Sequence, residues 1–220
     1  GARVAIIDPG PLGGLCILRG CMPTKAILRS SDIMALMHRA EEFGLQPVQA
    51  QAHLPAINDR KNKLIQEFAD YRIEQLNDSR FTLIQERAEF ISPHEIRVGN
   101  RTLKAKSFIL ATGSVVADFP ILGLQETGFI TSDDVLQMRQ APESIIVLGA
   151  GAVAVELAQF LLRIGVKTTL LQRSPHILSQ GDEDLARPVE QRFRQEGMDL
   201  YTGTKLLRAA KEPEGPTLYF

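Results

Sequence analysis

Cysteine is nearly absent from this chain, with two in 220 residues, and that scarcity excludes a small secreted scaffold held together by disulfides. An excess of charge of one sign is also missing. The 25 Lys and Arg against 26 Asp and Glu leave a formal net charge of -1, too little for a broad field that draws in nucleic acid or an acidic membrane surface. No run of about 18 apolar residues occurs, so no segment reads as a membrane span. The N-terminus has neither the charged region nor the long apolar stretch of a secretory signal, and the expected location is cytoplasmic. None of the four histidines, His38, His53, His94 and His176, lies near the cysteines in sequence, so no zinc or other metal site is expected. What remains, 44% hydrophobic and 23% charged, is an ordinary globular composition with length for one large domain or two small ones.

The patterning alternates strand and helix. Gly1 to Asp8 reads as a buried strand ending in an acid, broken by Pro9, Gly10, Pro11, Gly13 and Gly14. Apolar residues at helical spacing predict a helix from about Pro23 to Ala40, and a more charged helix follows over 59–77. Short strands are expected at Phe81–Gln85 and Glu95–Val98, and an apolar strand at Ser107–Leu110 runs into Ala111-Thr112-Gly113-Ser114. The second half is clearer. Ser144–Leu148 predicts a strand, Gly149 to Ala154 a glycine-rich turn, Val155–Ile164 a helix and Lys167–Gln172 the next strand, which together make a parallel βαβ unit.

Gly165 to Gln172 lines up with Gly1 to Asp8, both reading Gly-x-basic-x-x-aliphatic-aliphatic-polar. If the two strands are equivalent, the first unit's own glycine turn lies upstream of residue 1, about 20 or more residues away by the usual length of such units. At the other end, 214–220 reads as a hairpin cut off as its strand begins.

The chemistry gathers at Gly13-Gly14-Leu15-Cys16-Ile17-Leu18-Arg19-Gly20-Cys21-Met22-Pro23-Thr24-Lys25. In a regular helix five residues rise ~7.5 Å, beyond the ~4.4–6.8 Å Cα separation that a disulfide accepts. A Cys16–Cys21 bond therefore requires a distorted helix start, which Gly20 permits, and distorted disulfides are the reducible ones. A bare Cys-x4-Cys fits two unpaired buried thiols at least as well. Gly149-x-Gly151-x-x-Ala154 sits between strand and helix, as dinucleotide binding demands, and this context favours that reading over a plain turn. Gly149 permits the tight turn, Gly151 lets a pyrophosphate approach the helix N-terminus, and Ala154 permits close packing of helix on strand.

The cysteine run closely resembles the Gly-Gly-x-Cys-x4-Cys-x-Pro-[Ser/Thr]-Lys signature of the pyridine nucleotide-disulfide oxidoreductases, the family of dihydrolipoamide dehydrogenase, glutathione reductase and mercuric reductase. Ala111 to Ser114, the second glycine turn and Glu156 follow in family order. The resemblance implies an α/β fold of two Rossmann-like nucleotide-binding units. These are a partial FAD-binding domain with the redox disulfide at 1–114 and a partial NAD(P)-binding domain at 115–220, without the interface domain. It implies a homodimer that passes electrons from a nicotinamide coenzyme through FAD to Cys16–Cys21, and on to a disulfide or metal-ion substrate.

By the same resemblance, Cys21 faces the flavin, Cys16 is the interchange thiol, and Lys25 sits near the flavin ring and pairs with Glu156. Asp8, Gly14, Ala88, Thr112, Gly113 and Ser114 complete the FAD contacts. Gly149, Gly151, Ala152, Val153 and Ala154 bind the coenzyme. The acid/base histidine of the family belongs to the absent interface domain of a partner subunit.

Taken as residues alone, Lys25, Glu156 and Arg173 also read as solvated charges, and Asp8 as a turn residue before Pro9. At the end of the coenzyme strand Gln172 and Arg173 stand where an NAD enzyme usually carries an acid. Loss of that acid with a cation beside it favours NADPH over NADH. Two other readings stay open: a non-catalytic fragment, and a nucleotide-binding redox sensor that uses only the two thiols.

Overall fold

The computed structural model describes residues 2–220, so Gly1, the first residue of the expected opening strand, lies outside the described residues. In chain order the elements are β1 (Val4–Ile7), α1 (Leu15–Arg19), α2 (Cys21–His38), α3 (Leu54–Leu76), β2 (Phe81–Ile84), β3 (Ala88–Ser92), β4 (Glu95–Val98), β5 (Arg101–Lys104), α4 (Ser132–Gln137), β6 (Ser144–Leu148), α5 (Ala152–Arg163), β7 (Lys167–Leu171), α6 (Glu183–Gln195), β8 (Asp199–Tyr201), β9 (Arg208–Glu212) and β10 (Gly215–Tyr219). Among the described residues no helix is long and apolar enough to cross a membrane.

The chain divides into two compact units, one of residues 1–23 and 62–115, the other of 24–61 and 116–220. In the first, β1 runs parallel to β2, with Val4 opposite Phe81 and Ile7 opposite Ile84. A separate antiparallel sheet has the order β3-β4-β5. Ile84, Ile96 and Val98 form its core, with Ile7, Leu103 and Phe108 packed against them.

In the second unit β6, α5 and β7 form the expected βαβ, with the strands parallel and Ser144 opposite Lys167 through Leu148 opposite Leu171. β8 adds to the other edge of β7, also parallel. Helix α5 buries residues on two sides. Val155 and Ala158 join Leu170, Ile177 and Phe193 in one core, while Leu157, Phe160 and Leu161 join Ile27, Leu54, Val135 and Leu136 in another. Phe160 and Leu161 are each 1% exposed, and burial of each such side chain contributes about 2 kcal/mol.

Three expectations are corrected. The strand predicted at Ser107–Leu110 is absent: the segment is irregular, and Ile109 is 94% exposed. A strand exists only by pairing, and β1 and β2 pair with each other alone. The antiparallel sheet has β3 and β5 on either side of the one strand expected there, because the turn at Gly99, in the left-handed region at φ 56°, folds the chain back on β4. The C-terminal hairpin is complete: β10 pairs with β9 over all five residues, from Gly215 opposite Glu212 to Tyr219 opposite Arg208.

Residues 24–61 group with 116–220 in the second compact unit. Their side chains explain why. Buried Lys61 donates to the Leu136 carbonyl, Asn58 donates to the Met138 carbonyl, and Ile27 and Leu54 pack with Phe160. Burial lowers the Lys61 pKa, and the carbonyl it meets satisfies the amine.

One charged network closes the end of α5. Arg163, its side chain 14% exposed, grips Glu196 through both carboxylate oxygens at 2.8 Å and reaches Asp32 at 2.5 Å. Arg192 also meets Glu196, at 2.6 Å. Burial alone raises the Glu196 carboxyl, but the hydrogen bonds from Arg163 and Arg192 outweigh it and leave the pKa lowered. A lowered folded-state pKa contributes stability that is present above the ordinary carboxylate range and lost as pH falls through the lowered value. We predict that Arg163→Ala lowers unfolding stability in urea by about 2 kcal/mol at neutral pH. Glu196→Gln is expected to flatten the fall in stability below pH 4.5, the ordinary value of that carboxyl; a slope identical to that of the unchanged protein would contradict the assignment.

Candidate active site

Cys16 lies in the five-residue α1, and Cys21 is the first residue of α2. The helical path breaks between them at Gly20, with φ -123° and ψ -121°. A Cβ on Gly20 would stand 3.1 Å from the Cys16 Cα and 3.1 Å from the Leu15 carbonyl oxygen, so the backbone folds too closely here for any larger residue without local movement. A break of this kind is what a Cys16–Cys21 bond would need. Both cysteines are exposed. Gly13 and Gly14 lead into α1 with φ of 132° and 81°, conformations that favour glycine.

Cys16 lines a cleft of about 530 Å³ within the first unit, with Gly13, Gly14 and, from α3, Phe68, Tyr71 and Arg72. Cys21 is not among its lining residues. The three α3 residues escape the sequence reading. The signal for them was present: two exposed aromatics and a cation at positions 68, 71 and 72, the i, i+3, i+4 spacing of a single helix face.

The expected FAD-contacting residues all fall in the first unit. Asp8 follows β1, and its Oδ1 accepts a 2.8 Å hydrogen bond from the Gly10 amide, which fixes the turn that leaves the strand. Ala88 opens β3 opposite Val98 and is exposed. Thr112, Gly113 and Ser114 are exposed in an irregular segment, with Gly113 at φ 74°. A Cβ on Gly113 would lie 3.6 Å from the Leu15 Cβ, so this segment adjoins the start of α1. A Cβ on Gly14 would meet nothing within 4 Å, which leaves open backbone beside exposed hydroxyls. Such a surface fits the ribose and phosphates of a dinucleotide.

The second unit holds the rest. Lys25 in α2 and Glu156 in α5, 131 residues apart in sequence, meet at 2.5 Å between Nζ and Oε1. Their side chains are 59% and 30% exposed, so in solvent the pair contributes under about 1 kcal/mol, and stability alone is a weak reason for it. Gly149 turns at φ 84°, and Gly151 caps α5. Neither has an atom within 4 Å of where a Cβ would stand, and the first turn of α5 carries no acid. Ala152 and Val153 are exposed there, and Ala154 is half-buried. Open space against the positive end of a twelve-residue helix fits a pyrophosphate.

Gln172 and Arg173, just after β7, differ in exposure. Gln172 is 7% exposed and its amide donates to Ser179 at 3.4 Å, whereas Arg173 is exposed. Of the two, only Arg173 has its side chain free to meet a ligand's charge. Among the described residues no three His, Cys, Asp or Glu side chains gather as a metal site. His176 is engaged locally, its Nδ1 2.7 Å from the Ile177 carbonyl oxygen.

Comparison with known proteins agrees with this arrangement. The family model described as pyridine nucleotide-disulphide oxidoreductase matches residues 1–218. Mercuric reductase of Staphylococcus aureus is 30% identical over 220 residues, covering 100% of this chain and 40% of its own length. Dihydrolipoyl dehydrogenase of Thermus scotoductus is 31% identical, with 98% of this chain and 46% of its own length covered. Among solved structures, the HOCl-induced flavoprotein disulfide reductase RclA from Escherichia coli superposes with a TM-score of 0.82 at 26% identity, over 100% of this chain and 48% of that one. The chain thus spans less than half the length of these relatives. The family is one of flavoproteins that use a pyridine nucleotide, so FAD and NAD(P)H are the cofactors that its parallel α/β units serve. With the match running from its first residue almost to its last, the chain belongs to the pyridine nucleotide-disulphide oxidoreductase family.

Proposed function

We propose that this chain carries the redox pair and the coenzyme-binding elements of an FAD-dependent NAD(P)H:disulfide oxidoreductase. The observation that carries the reading is the helix break at Gly20, which separates a thiol lining an open cleft, Cys16, from a thiol at the head of α2, Cys21. The dipole of an eighteen-residue helix stabilises a thiolate at that head.

FAD, when bound, supplies the two-electron link between nicotinamide and sulfur. The chain's own residues do the rest. In the reduced pair the Cys16 thiolate attacks one sulfur of a substrate disulfide R–S–S–R, forming a mixed disulfide. The departing sulfur takes a proton and leaves as R–SH. Cys21 then attacks Cys16, which forms the Cys16–Cys21 bond and releases the second R–SH with another proton. Overall, NAD(P)H, one proton and one disulfide become NAD(P)+ and two thiols. A metal ion taking the same two electrons is the alternative acceptor, favoured by the mercuric reductases among the relatives.

Lys25, which meets Glu156, would supply a cation to the negative charge of a reduced flavin in our reading. Asp8, Gly14, Ala88 and Thr112 to Ser114 hold FAD in our reading, and Gly149 to Ala154 hold the coenzyme pyrophosphate. Arg173 pairs with a 2′-phosphate, which favours NADPH, and Gln172 beside it lacks the negative charge that would repel that phosphate. The working protein is a cytoplasmic homodimer in this reading, with the partner subunit supplying the acid/base histidine.

Two outcomes test it in the full-length protein. Cys16→Ser and Cys21→Ser should each cut NADPH-driven disulfide reduction by more than about 100-fold, since neither thiol alone can complete the exchange. Unchanged turnover in either variant would sink the assignment. Separately, Arg173→Gln should raise KM for NADPH about tenfold while KM for NADH stays put, the loss expected of one charge-assisted phosphate contact. An equal change for both coenzymes would place the 2′-phosphate elsewhere.

A further inference from the structure

The cleft beside Cys16 holds more than sulfur exchange requires. Its volume of about 530 Å³ lies within the range of small-molecule sites and far exceeds the room a bare metal ion needs. Phe68 and Tyr71 line it and remain 47% and 59% exposed, although α3 has Ala69 turned inward and 4% exposed. Exposed aromatics next to a thiol give an apolar wall without a partner in this unit. Arg72 stands on the same face, one residue on. Its Nη1 donates to the neutral amide of Gln75 at 2.7 Å, and among the described residues it pairs with no carboxylate. The cleft therefore combines a nucleophilic sulfur, an aromatic wall and a guanidinium whose charge is not neutralised.

We propose that Arg72 is a specificity-determining residue that selects small disulfides carrying a carboxylate, with Phe68 and Tyr71 packing the apolar stem between that carboxylate and the reacting sulfur at Cys16. The proposal rests on the reading of Cys16 as the interchange thiol. Charge complementarity chooses the occupant: a guanidinium fork attracts a carboxylate and repels a free metal cation.

The test uses two matched probe pairs on the flavin-loaded full-length protein. Lipoate and lipoamide share one cyclic disulfide and differ by a carboxylate against a neutral amide. Iodoacetate and iodoacetamide differ in the same way and report on the thiol of the coenzyme-reduced protein whether or not a disulfide is turned over. The readouts are the acid-to-amide ratio of kcat/KM for the lipoyl probes and of alkylation rate for the iodo probes, with the labelled residue identified by peptide mass. Arg72→Gln should lower both ratios about fivefold, and Arg72→Lys should keep most of the preference, because it retains the charge while losing the fork. If the lipoyl pair is refused, the alkylation ratio decides alone. A ratio unmoved by Arg72→Gln with Cys16 still the labelled thiol overturns the selectivity role and leaves the redox reading intact. Labelling of Cys21 in place of Cys16 overturns the reading of the pair, and this proposal with it.

Discussion

A helix cannot be continuous through Cys16 and Cys21 and also let the two sulfurs meet, because five helical residues separate their Cα atoms by about 7.5 Å. The backbone resolves this at Gly20. Its Cα approaches so near to Cys16 and to the Leu15 carbonyl that a Cβ would stand at 3.1 Å from each. The break ends α1 after five residues and lets α2 start afresh at Cys21, which puts one thiol over the cleft and the other at a helix head. Each chemical role argued for the pair depends on that single crowded turn.

Helix α2 does a second job further along. Lys25, one turn past Cys21, meets Glu156 in α5, and Asp32, two turns on, meets Arg163 at the other end of α5. The two pairs bracket α5, the helix whose N-terminus Gly151 caps. Buried Ile27 lies between them in the core that also contains Phe160 and Leu161. In the second unit, then, α2 and α5 are held together by one apolar contact zone with an ion pair near each end. That gives the Lys25–Glu156 pair a purpose that its weak energy in solvent does not.

Much of this was legible in the sequence, and the reasons are local. Gly149-x-Gly151 lies between an apolar strand and an apolar helix, and the βαβ unit follows to within about three residues at each boundary. The need for distortion between the cysteines followed from their spacing. What stayed hidden was set by distant partners. Ser107–Leu110 has the apolar run of a strand but pairs with none of the described strands. The hydrogen bonds of Lys61 and Asn58 to the carbonyls of Leu136 and Met138, 75 and 80 residues away, leave no local mark in the sequence. Helix α6 carries no expectation above, and Pro188, usually a helix breaker, lies inside it. Arg72 and its aromatic neighbours sit on a charged helix whose outward face only the cleft makes meaningful.

The central claim is that Cys16 and Cys21 interconvert between disulfide and dithiol at the expense of a nicotinamide coenzyme. Trypsin separates them, since Arg19 lies between the two, so the peptides Val4–Arg19 and Gly20–Lys25 stay joined only through a disulfide. Non-reducing peptide mapping of the oxidised full-length protein, with and without NADPH, measures the claim directly. The account predicts a joined peptide pair before NADPH and two separate, alkylatable peptides after it. Two alkylatable thiols in both samples, or a joined pair that NADPH leaves intact, would contradict it.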